Sequence, residues 1–375
     1  MTGVESTRPV GVGFIGAGNV LPAYLQALDR LVPRGLAREG PVCARRREVW
    51  PVLERRRPGI RLVSTPEEVI GAEDVDLVAI LTPPGPHADL SRAALAAGRH
   101  VLVEKPLAAS AAEAAELFER AHSAGLILLA APFVHLSPTF RRLWTLVRGG
   151  TIGSVHAARA HYGNAGSAWA AWYHQDPAAT LGDVGVYNLK SLAALLGPVV
   201  EVQAAAATAV SRRTIGGSEV DARDPDTWQL VLRHEAGALS SVLASHVTWR
   251  YRRPAIELYG TGGSANLLGD DWDPLGIELY REEAGTWEFI EPDDATWLWT
   301  DGLREAVAAI RARSTPLADP GLDVHLVEVI DAASRAAAGG RAVGVESRFS
   351  PLESLAFDPS AGAHVHDRTR AADEQ

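Results

Sequence analysis

The feature that most constrains the fold of this chain is a glycine turn that directly follows an apolar segment near the N-terminus. The apolar segment spans Val10 to Ile15, and two glycines follow it just before a helical pattern. A strand, a tight turn and a helix in this order begin a βαβ unit, whose turn lets the backbone approach a pyrophosphate. The third position of the usual glycine pattern is Leu21, so the pattern is incomplete. The residues predicted to contact a dinucleotide here are Gly16, Gly18, Asn19 and Val20.

Apolar segments and helical patterns then alternate through the first 130 residues, as is typical of a parallel sheet covered by helices. The predicted strands are 10–15, 42–44, 60–63, 75–81, 100–103 and 126–131, and the predicted helices are 20–31, 46–57, 87–97 and 111–124. After about residue 132 longer alternating strands appear at 154–162, 227–233, 238–247 and 255–259, with helices at 138–148, 298–313 and 321–338. We predict an α/β chain with a doubly wound domain at 1–132, an α/β domain on an antiparallel or mixed open sheet at 133–358, and a flexible tail at 359–375.

Composition excludes several classes of protein. The 375 residues are 47% hydrophobic and 22% charged, which fits a globular chain of two domains. A net charge of -10 gives no general attraction for nucleic acid or anionic membranes. No apolar run approaches the roughly 20 residues that span a bilayer, and no leader pattern precedes the first strand, so we expect a cytoplasmic protein with a small-molecule partner. The single Cys43 and the lack of an HExxH motif predict no metal site.

Arginines follow the second predicted strand. A domain specific for NAD usually offers an acidic residue to the adenosine ribose at this point, whereas Arg45, Arg46 and Arg47 stand here. An arginine suits the 2'-phosphate of NADP. The alternative is that the three arginines only begin a solvated helix. We therefore predict NADP as the cofactor, bound through Arg45, with NAD as the alternative.

Two loops follow neighbouring strands at the edge where doubly wound sheets bind ligands. TPPGPHADL follows the strand at 75–81, and EKPLA follows the strand at 100–103. Pro106 favours an extended backbone at Lys105, and a lysine there can lie beside a nicotinamide and donate to a substrate oxygen. The alternative is an exposed lysine paired with Glu104. The residues predicted to bind the cofactor in these loops are Thr82, Pro83, His87, Glu104 and Lys105.

A third stretch, AATLGDVGVYNLKSL at residues 178–192, has the apolar content of a core helix and a polar face. Asp183, Tyr187 and Lys190 recur on that face at steps of four and three residues. The alternatives to a site are an N-cap role for Asp183 and a core tyrosine with a satisfied hydroxyl at Tyr187.

GAGNV, TPPGPH, EKP and DVGVY, in this order, resemble the glucose-fructose oxidoreductase, inositol dehydrogenase and rhizopine-catabolism family (Gfo/Idh/MocA), as do GTIGSV, LLGPV, AIELYGTGG and HLVEVI. The resemblance implies an α/β fold with an N-terminal doubly wound Rossmann domain and a C-terminal α/β domain on an open, mainly antiparallel sheet. It also implies NAD(P)-dependent redox chemistry at a sugar or cyclitol carbon, and oligomerisation to a dimer or tetramer through the outer face of the second sheet. It also implies that Lys105 is the catalytic lysine and Asp183 the catalytic aspartate. Where inositol dehydrogenases have histidine this chain has Tyr187, as in the branch of glucose-fructose oxidoreductase and of dihydrodiol and xylose dehydrogenases. Lys190 replaces the usual second acid.

These residues support a mechanistic hypothesis. Tyr187 is the general acid and base, and the Lys105 ammonium lowers its pKa from about 10. Asp183 orients Lys105 or binds a substrate hydroxyl. If Tyr187 does not transfer the proton, the alternatives are His87, His161 and His174, whereas His325 either faces the site or packs. The residues predicted to bind the substrate are Trp169, Trp172, Asp183, Tyr187 and Lys190.

The sequence thus predicts an NADP-dependent oxidoreductase that moves a hydride between the nicotinamide and a secondary alcohol or ketone carbon of a sugar, a sugar derivative or a cyclitol. One alternative is an NAD-dependent enzyme that cleaves glycosides through transient oxidation of the ring. Another is a non-catalytic Rossmann protein that senses NADP. A homo-oligomer formed through the second sheet is expected in each case.

Overall fold

The computed structural model describes residues 8–350, except residues 177, 253, 295 and 318. The predicted tail at 359–375 and the last predicted residues of the second domain, 351–358, lie outside the described residues.

A parallel sheet forms the first half of the chain. Its described strands have the order β3-β2-β1-β4-β5-β6, and every neighbouring pair is parallel. The strands are β1 (Val10–Ile15), β2 (Ala37–Cys43), β3 (Leu62–Val63), β4 (Leu77–Ile80), β5 (His100–Val103) and β6 (Leu128–Ala130). The helices between them are α1 (Leu21–Leu31), α2 (Trp50–Arg56), α3 (Pro66–Ile70), α4 (His87–Ala96) and α5 (Ala111–Ser123). The order reverses beside β1, so the sheet is doubly wound as predicted.

The first turn requires glycine for steric reasons. Gly16 has a φ of +112°, and a Cβ on it would lie 2.7 Å from the carbonyl group of Leu81. A residue with a side chain would be strained by both effects. The turn therefore keeps β1 close to β4 at the edge where the loops after β4 and β5 also begin.

A larger mixed sheet forms the second half. In the described part of the chain its order is β16-β15-β14-β13-β7-β12-β11-β8-β17, in which β7 and β12 are parallel and the other pairs antiparallel. The strands are β7 (Val155–Gly163), β8 (Val199–Ala207), β11 (Thr227–His234), β12 (Leu239–Ser245), β13 (Ile256–Gly260), β14 (Gly263–Asp270), β15 (Asp273–Arg281), β16 (Trp287–Ile290) and β17 (Val343–Gly344), and a separate hairpin consists of β9 (Arg212–Ile215) and β10 (Ser218–Asp221). The predicted fold class, an α/β chain with an open, mainly antiparallel second sheet, is confirmed.

Helices cover one face of the second sheet. The helices of this half are α6 (Pro138–Arg148), α7 (Trp172–Gln175), α8 (Val186–Leu196), α9 (Gly302–Ala312) and α10 (Pro320–Gly339). Residues of α6, α8 and α10 form one core with the sheet. On β11 the side chains alternate between this core and the opposite face, where Gln229, Val231 and Arg233 are exposed.

The chain returns to the first domain near its end. Leu303 and Val307 of α9 are buried with the residues of α1 and the first sheet, and α10 packs on α5 of the first domain as well as on β8 of the second. A single domain boundary at residue 132 does not describe these later contacts of α9 and α10 with the first domain. Among the described residues, no helix combines the length and apolar character that crossing a membrane requires.

Candidate active site

The fold brings Lys105 and Asp183 into direct contact across 78 positions of sequence. Lys105 follows β5 at the carboxyl edge of the first sheet. Its Nζ donates to Oδ1 of Asp183 at 2.5 Å and to the Asp183 backbone oxygen at 3.0 Å. Each side chain is 14% exposed. The alternative of an exposed lysine paired with Glu104 is wrong, because the ion partner of Lys105 is Asp183.

Asp183 belongs to a π-helical turn, residues 181–185, that directly precedes α8. Such a turn inserts one residue into the helical repeat and is frequent at functional sites. The Asp183 carboxylate accepts hydrogen bonds from Lys105 and from His246. A sole N-cap role for Asp183 is therefore wrong, because the residue lies inside a helical turn and its acceptors are used by side chains.

Burial and charge act against each other on this pair. Burial alone would lower the pKa of the Lys105 amine, but Asp183 and Glu104 offset this effect and leave the pKa above its usual value. Burial alone would raise the pKa of the Asp183 carboxyl, yet Lys105 and His246 hold that pKa at about 2. The site at neutral pH therefore contains an ammonium and a carboxylate in contact.

Tyr187 lies beside the ion pair, one helical turn after Asp183. The Lys105 Nζ is 5.3 Å from the centre of the Tyr187 ring, and Tyr162 packs edge-on against that ring with centroids 5.4 Å apart. Burial, together with the charges of Glu104 and Asp183, raises the pKa of the Tyr187 phenol well above its usual value. The expected net lowering of this pKa is not found, because burial and the neighbouring carboxylates outweigh the Lys105 ammonium, which is paired with Asp183.

Two further polar residues of the site have no signal in the sequence. His246 follows β12, and its Nε2 lies 3.0 Å from Oδ2 of Asp183. Asp271, in the turn between β14 and β15, accepts from Asn188 and Ser191 of α8 at 3.0 Å each. Burial raises the pKa of Asp271 to about 7, and its charge adds to the raised pKa of Tyr187. Each contact spans more than 60 positions, so no local pattern could reveal it.

The glycine turn has the shape that a dinucleotide needs. A Cβ on Gly18 would meet no atom of the described residues within 4 Å, so the space in front of the turn is open. Asn19 and Val20 follow, and α1 begins at Leu21 without a side chain that caps its first turn. Pro22 has no N–H, and the N–H groups of Leu21 and Ala23 donate to the backbone oxygens of Gly18 and Val20, so phosphate binding at this turn stays a prediction. Arg45 is exposed at the end of β2, on the same edge of the sheet.

The loop after β4 offers a second polar group to this edge. The Thr82 hydroxyl is buried and has no hydrogen-bond partner in the described part of the chain, and Pro83 beside it is exposed. An unsatisfied buried hydroxyl is costly, so a ligand that supplies a partner fits here. The residues at the glycine turn, at Arg45 and at Thr82 together fit an NAD(P) cofactor.

Two residues that the sequence predicts as cofactor ligands, His87 and Glu104, have side chains that are buried at this edge of the sheet. His87 is fully buried, and its two ring nitrogens contact the backbone oxygens of Thr82 at 2.9 Å and of Pro106 at 2.7 Å. Glu104 is 6% exposed, and its carboxylate accepts from the Tyr24 hydroxyl at 2.8 Å and from the Lys105 backbone at 3.3 Å. The side chains of His87 and Glu104 thus bond within the protein and hold the loops in place, and their predicted contacts with the cofactor stay predictions.

The two tryptophans predicted to bind the substrate, Trp169 and Trp172, differ in how exposed they are. Trp172 lines a small pocket together with Lys105 and Asp183. Trp169 is 57% exposed and meets the Trp172 ring edge-on at 6.4 Å between centroids. Trp172 is thus beside the ion pair, and Trp169 lies farther out.

Lys190 is predicted as a substrate ligand, but the structure places its side chain outside the site. Its side chain is 1% exposed, and its Nζ donates to Oδ1 of Asp323 at 2.5 Å and to the backbone oxygen of Ala130 at 3.0 Å. Substrate binding by Lys190 is a wrong prediction, because the amine is enclosed and both contacts are internal. The helical face that carries Asp183 and Tyr187 continues into a contact between the domains.

The other predicted histidines have structural partners. His161 stacks on Tyr251, 4.3 Å between ring centres, in the second sheet. His174 is 2% exposed and contacts the Ser167 backbone oxygen at 2.8 Å. His325 is fully buried and accepts from the Val199 N–H at 3.0 Å, so it packs and does not face the site.

A doubly wound sheet with a glycine turn, whose carboxyl edge carries a buried lysine that faces an aspartate and a tyrosine of the second domain, is typical of nicotinamide-dependent oxidoreductases that act on CH–OH groups. Comparison with known families agrees with this class. The NAD-binding Rossmann fold of the Gfo/Idh/MocA oxidoreductases matches residues 10–131, and the C-terminal domain of the same family matches residues 140–266. The chain belongs to the Gfo/Idh/MocA oxidoreductase family, as the resemblance of its motifs predicts.

Individual relatives are dehydrogenases. The chain is 26% identical to the trans-1,2-dihydrobenzene-1,2-diol dehydrogenase of Bos taurus over 271 residues, which cover 72% of this chain and 77% of the relative. It is 28% identical to the D-xylose 1-dehydrogenase (NADP(+)) 2 of Haloferax volcanii over 340 residues, 89% of this chain and 98% of the relative. A levoglucosan dehydrogenase in complex with NADH and levoglucosan has the same fold, with a TM-score of 0.81 at 19% identity over 91% of this chain and 100% of that chain. The chain is thus an oxidoreductase with an NAD(P)-binding Rossmann domain.

Proposed function

We propose that the protein is an NADP-dependent oxidoreductase that transfers a hydride between the nicotinamide and a secondary alcohol or ketone carbon of a sugar, a sugar derivative or a cyclitol. The observation that carries the proposal is the Lys105–Asp183 ion pair, with Tyr187 beside it, at the edge of the sheet that binds the dinucleotide. A hydroxyl or carbonyl oxygen placed against this group meets two proton donors, the ammonium and the phenol.

The protonation states favour one direction near neutral pH. The bound nicotinamide supplies or accepts the hydride. Lys105 and Tyr187 both have raised pKa values, so both hold their protons in the free protein at neutral pH. A group that holds a proton stabilises a carbonyl oxygen on which negative charge develops, and can then protonate it. The residues are thus arranged for reduction of a ketone, and oxidation of the alcohol requires more alkaline conditions.

The proposed preference for NADP rests on the three arginines that follow β2 in the sequence. Arg45 and Arg46 are exposed at that point, and Arg47 donates to Ser64 at 3.1 Å. Guanidinium groups bind a phosphate in bidentate fashion, which supports recognition of the 2'-phosphate by Arg45 or Arg46. The name of the Haloferax volcanii relative, an NADP(+) xylose dehydrogenase, is consistent with this proposal.

The substrate class rests on the aromatic residues and on the relatives. Trp172 beside the ion pair provides an apolar ring face, and such faces pack against the CH groups of a sugar or cyclitol ring. The relatives are named for a cyclic diol and for a pentose.

We also propose a homo-oligomer in which the outer face of the second sheet is the interface. Val231 is 44% exposed and Leu239 is 43% exposed on adjacent strands of this face, and Trp287 and Phe289 are half exposed at its far end. An open sheet with apolar side chains on its uncovered face is a typical interaction surface.

A spectrophotometric screen tests the proposed activity. Free sugars, glycosides, nucleotide sugars and inositols are offered with NADP and with NAD, and the ketones with NADPH. We expect turnover of at least one ring alcohol and a higher kcat/KM with NADPH than with NADH. Tyr187→Phe and Lys105→Met should each lower kcat by on the order of a hundredfold or more.

The screen also separates the alternatives. Glycoside cleavage without net reduction of NADP would indicate ring oxidation as a transient step. Bound NADP with no turnover across the panel would indicate a sensor and would contradict the proposed activity. A clear preference for NADH would contradict only the cofactor.

A further inference from the structure

We propose that Tyr173 is a second substrate-binding phenol of the site. Its hydroxyl donates to the substrate oxygen next to the reacting one, so the substrate is a ring with a vicinal diol or the matching α-hydroxy ketone. The proposal rests on the proposed function and deepens it, because it names a hydroxyl that the substrate needs. Tyr173 lies in the short helix α7, directly after Trp172.

Tyr173 is packed among rings that lead to the ion pair. Its ring stacks on Trp172 with centroids 3.6 Å apart, and Trp172 lines the small pocket at the ion pair. The other two ring contacts of Tyr173 are edge-on, with Trp169 at 5.0 Å and with His246 at 6.2 Å between centroids. These three contacts hold the phenol ring in place without using its hydroxyl.

The two phenols of the site pack against the two partners of one carboxylate. The centre of the Tyr187 ring is 5.3 Å from Nζ of Lys105, which binds Oδ1 of Asp183. The Tyr173 ring packs on His246, whose Nε2 lies 3.0 Å from Oδ2 of the same carboxylate. Tyr187 therefore belongs to the Oδ1 side of Asp183, and Tyr173 belongs to the Oδ2 side.

The hydroxyls of these two half-buried phenols have no hydrogen-bond partner among the described residues. Two other tyrosines of the chain are paired. Tyr24 donates to Glu104 at 2.8 Å, and Tyr251 donates to Asp270 at 2.5 Å. Enclosed polar groups are almost always paired in proteins, so two unpaired phenols at one site indicate a ligand that supplies the acceptors.

Both phenols keep their protons at neutral pH. Burial and the charge of Asp183 raise the pKa of the Tyr173 phenol, which Lys105 offsets only in part, and burial raises the pKa of Tyr187. A protonated phenol can donate a hydrogen bond, so each of the two needs an acceptor on the ligand.

The number of donors indicates how many oxygens the ligand presents. In the proposed reaction the Lys105 ammonium and the Tyr187 phenol donate to the reacting oxygen, and a carbonyl oxygen has two lone pairs. The Tyr173 donor therefore needs a different oxygen. For a secondary alcohol of a sugar or cyclitol ring, the nearest other oxygen is the one on the neighbouring carbon. Tyr173 thus selects substrates that are oxygenated at that carbon.

Deoxy analogues of the substrate test the proposal. The ring substrate with the highest kcat/KM in the screen is compared with two analogues, each of which lacks one hydroxyl next to the reacting carbon. With the full substrate, Tyr173→Phe should lower kcat/KM about tenfold, the effect of one lost hydrogen bond. One analogue should be about tenfold poorer than the full substrate with the wild type, and Tyr173→Phe should lose nothing further with it.

Matched variants provide the controls. Tyr280→Phe removes the same atom from a half-buried tyrosine that packs on Trp287 in the second sheet, so kcat/KM should be unchanged for all three compounds. Tyr187→Phe should lower kcat equally for all three, because its phenol acts on the reacting oxygen that they share. The Kd of Tyr173→Phe for NADPH, measured by fluorescence, should equal that of the wild type, since the ring contacts are kept.

Two results would overturn the proposal alone. One is an unchanged kcat/KM in Tyr173→Phe with the full substrate. The other is an equal loss in Tyr173→Phe with the full substrate and with both analogues, which would mean a contact with the reacting oxygen or a structural role only. Absence of turnover in the wild type would contradict the proposed function and, with it, this proposal.

Discussion

The chain contains two lysines, Lys105 and Lys190, among 36 basic residues. Each is largely buried in an ion pair, with Asp183 in one case and with Asp323 in the other. A lysine ammonium is a compact point charge, whereas the planar guanidinium of arginine needs several hydrogen-bond acceptors in one plane. A lysine can also gain or lose a proton when its surroundings change, which an arginine cannot. Lys105 combines both properties at the edge where the cofactor is proposed to bind.

The raised pKa values of Lys105 and Tyr187 give a prediction about pH. A raised pKa means that the protonated form persists to higher pH, so ketone reduction should stay fast from mildly acidic to neutral pH. Oxidation of an alcohol needs one of these two groups in its deprotonated form, so that it can accept the proton of the hydroxyl. The kcat/KM for oxidation should therefore rise about tenfold per pH unit above neutrality until the pKa of that group is passed. Initial rates in both directions across the same pH series would check this. An oxidation rate that is flat between neutral and alkaline pH would contradict it.

Part of the site could be predicted residue by residue. Lys105 and Asp183 each belong to a short pattern at the end of a strand or at the start of a helix, so each has a local signal. His246 and Asp271 have none, because they reach the site only through strand pairing in the second sheet. The raised pKa of Tyr187 also could not be predicted, since it depends on the burial of the phenol and on carboxylates that the fold brings close to it. The predicted contacts with the cofactor and the substrate that the structure does not exclude stay predictions.

At the scale of elements, β6 ends the first sheet, and among the described strands it has a neighbour on one edge only. The Ala130 N–H donates to Oδ2 of Asp323 at 3.1 Å, and the Ala130 backbone oxygen accepts from Lys190. The ion pair between α8 and α10 thus binds this edge as a neighbouring strand would. Free strand edges are sites of unwanted pairing, and here the second domain covers the edge with charged side chains.

Removing half of this ion pair should destabilise the protein. Lys190→Met leaves the Asp323 carboxylate buried without its cation, which typically costs about 3–5 kcal/mol of the free energy of unfolding. Asp323→Leu should cost a similar amount. Chemical denaturation gives both values.

The double variant Lys190→Met/Asp323→Leu is the control for this prediction. It removes both charges, so it should lose clearly less stability than the sum of the two single changes. Single variants that unfold within about 0.5 kcal/mol of the wild type would show that the contact contributes little.

Element bounds were predictable where burial is uniform. β1 and β5 have the predicted bounds because their side chains are almost entirely apolar. β2 begins at Ala37, five residues before the predicted start, since Arg38 and Glu39 are polar residues of a strand and find partners in Pro9 and Arg57. The π-helical turn at 181–185 has no pattern of its own, because a single extra residue does not change the periodicity of a short segment.

For the molecule as a whole, the uncovered sheet face gives a prediction about assembly. If the proposed oligomer forms through that face, Val231→Glu should convert it to monomers, because a buried carboxylate without a partner is costly. Size-exclusion chromatography with light scattering measures the mass.

The matched control for assembly is Val52→Glu. Val52 is 38% exposed on α2 of the first domain, close to the 44% of Val231, and lies away from the second sheet. We expect no change of mass in this variant. An equal mass for wild type, Val231→Glu and Val52→Glu would contradict an interface on the outer sheet face.

The lysine and the aspartate of the ion pair belong to different folding units. Lys105 follows a strand of the first sheet, and Asp183 lies in the turn that leads into α8 of the second domain. Neither unit holds both partners of the pair, so a molecule in which one domain is detached from the other lacks the proposed active site. Turnover is therefore a direct measure of domain docking, and any ligand or variant that separates the domains should abolish activity before either core unfolds.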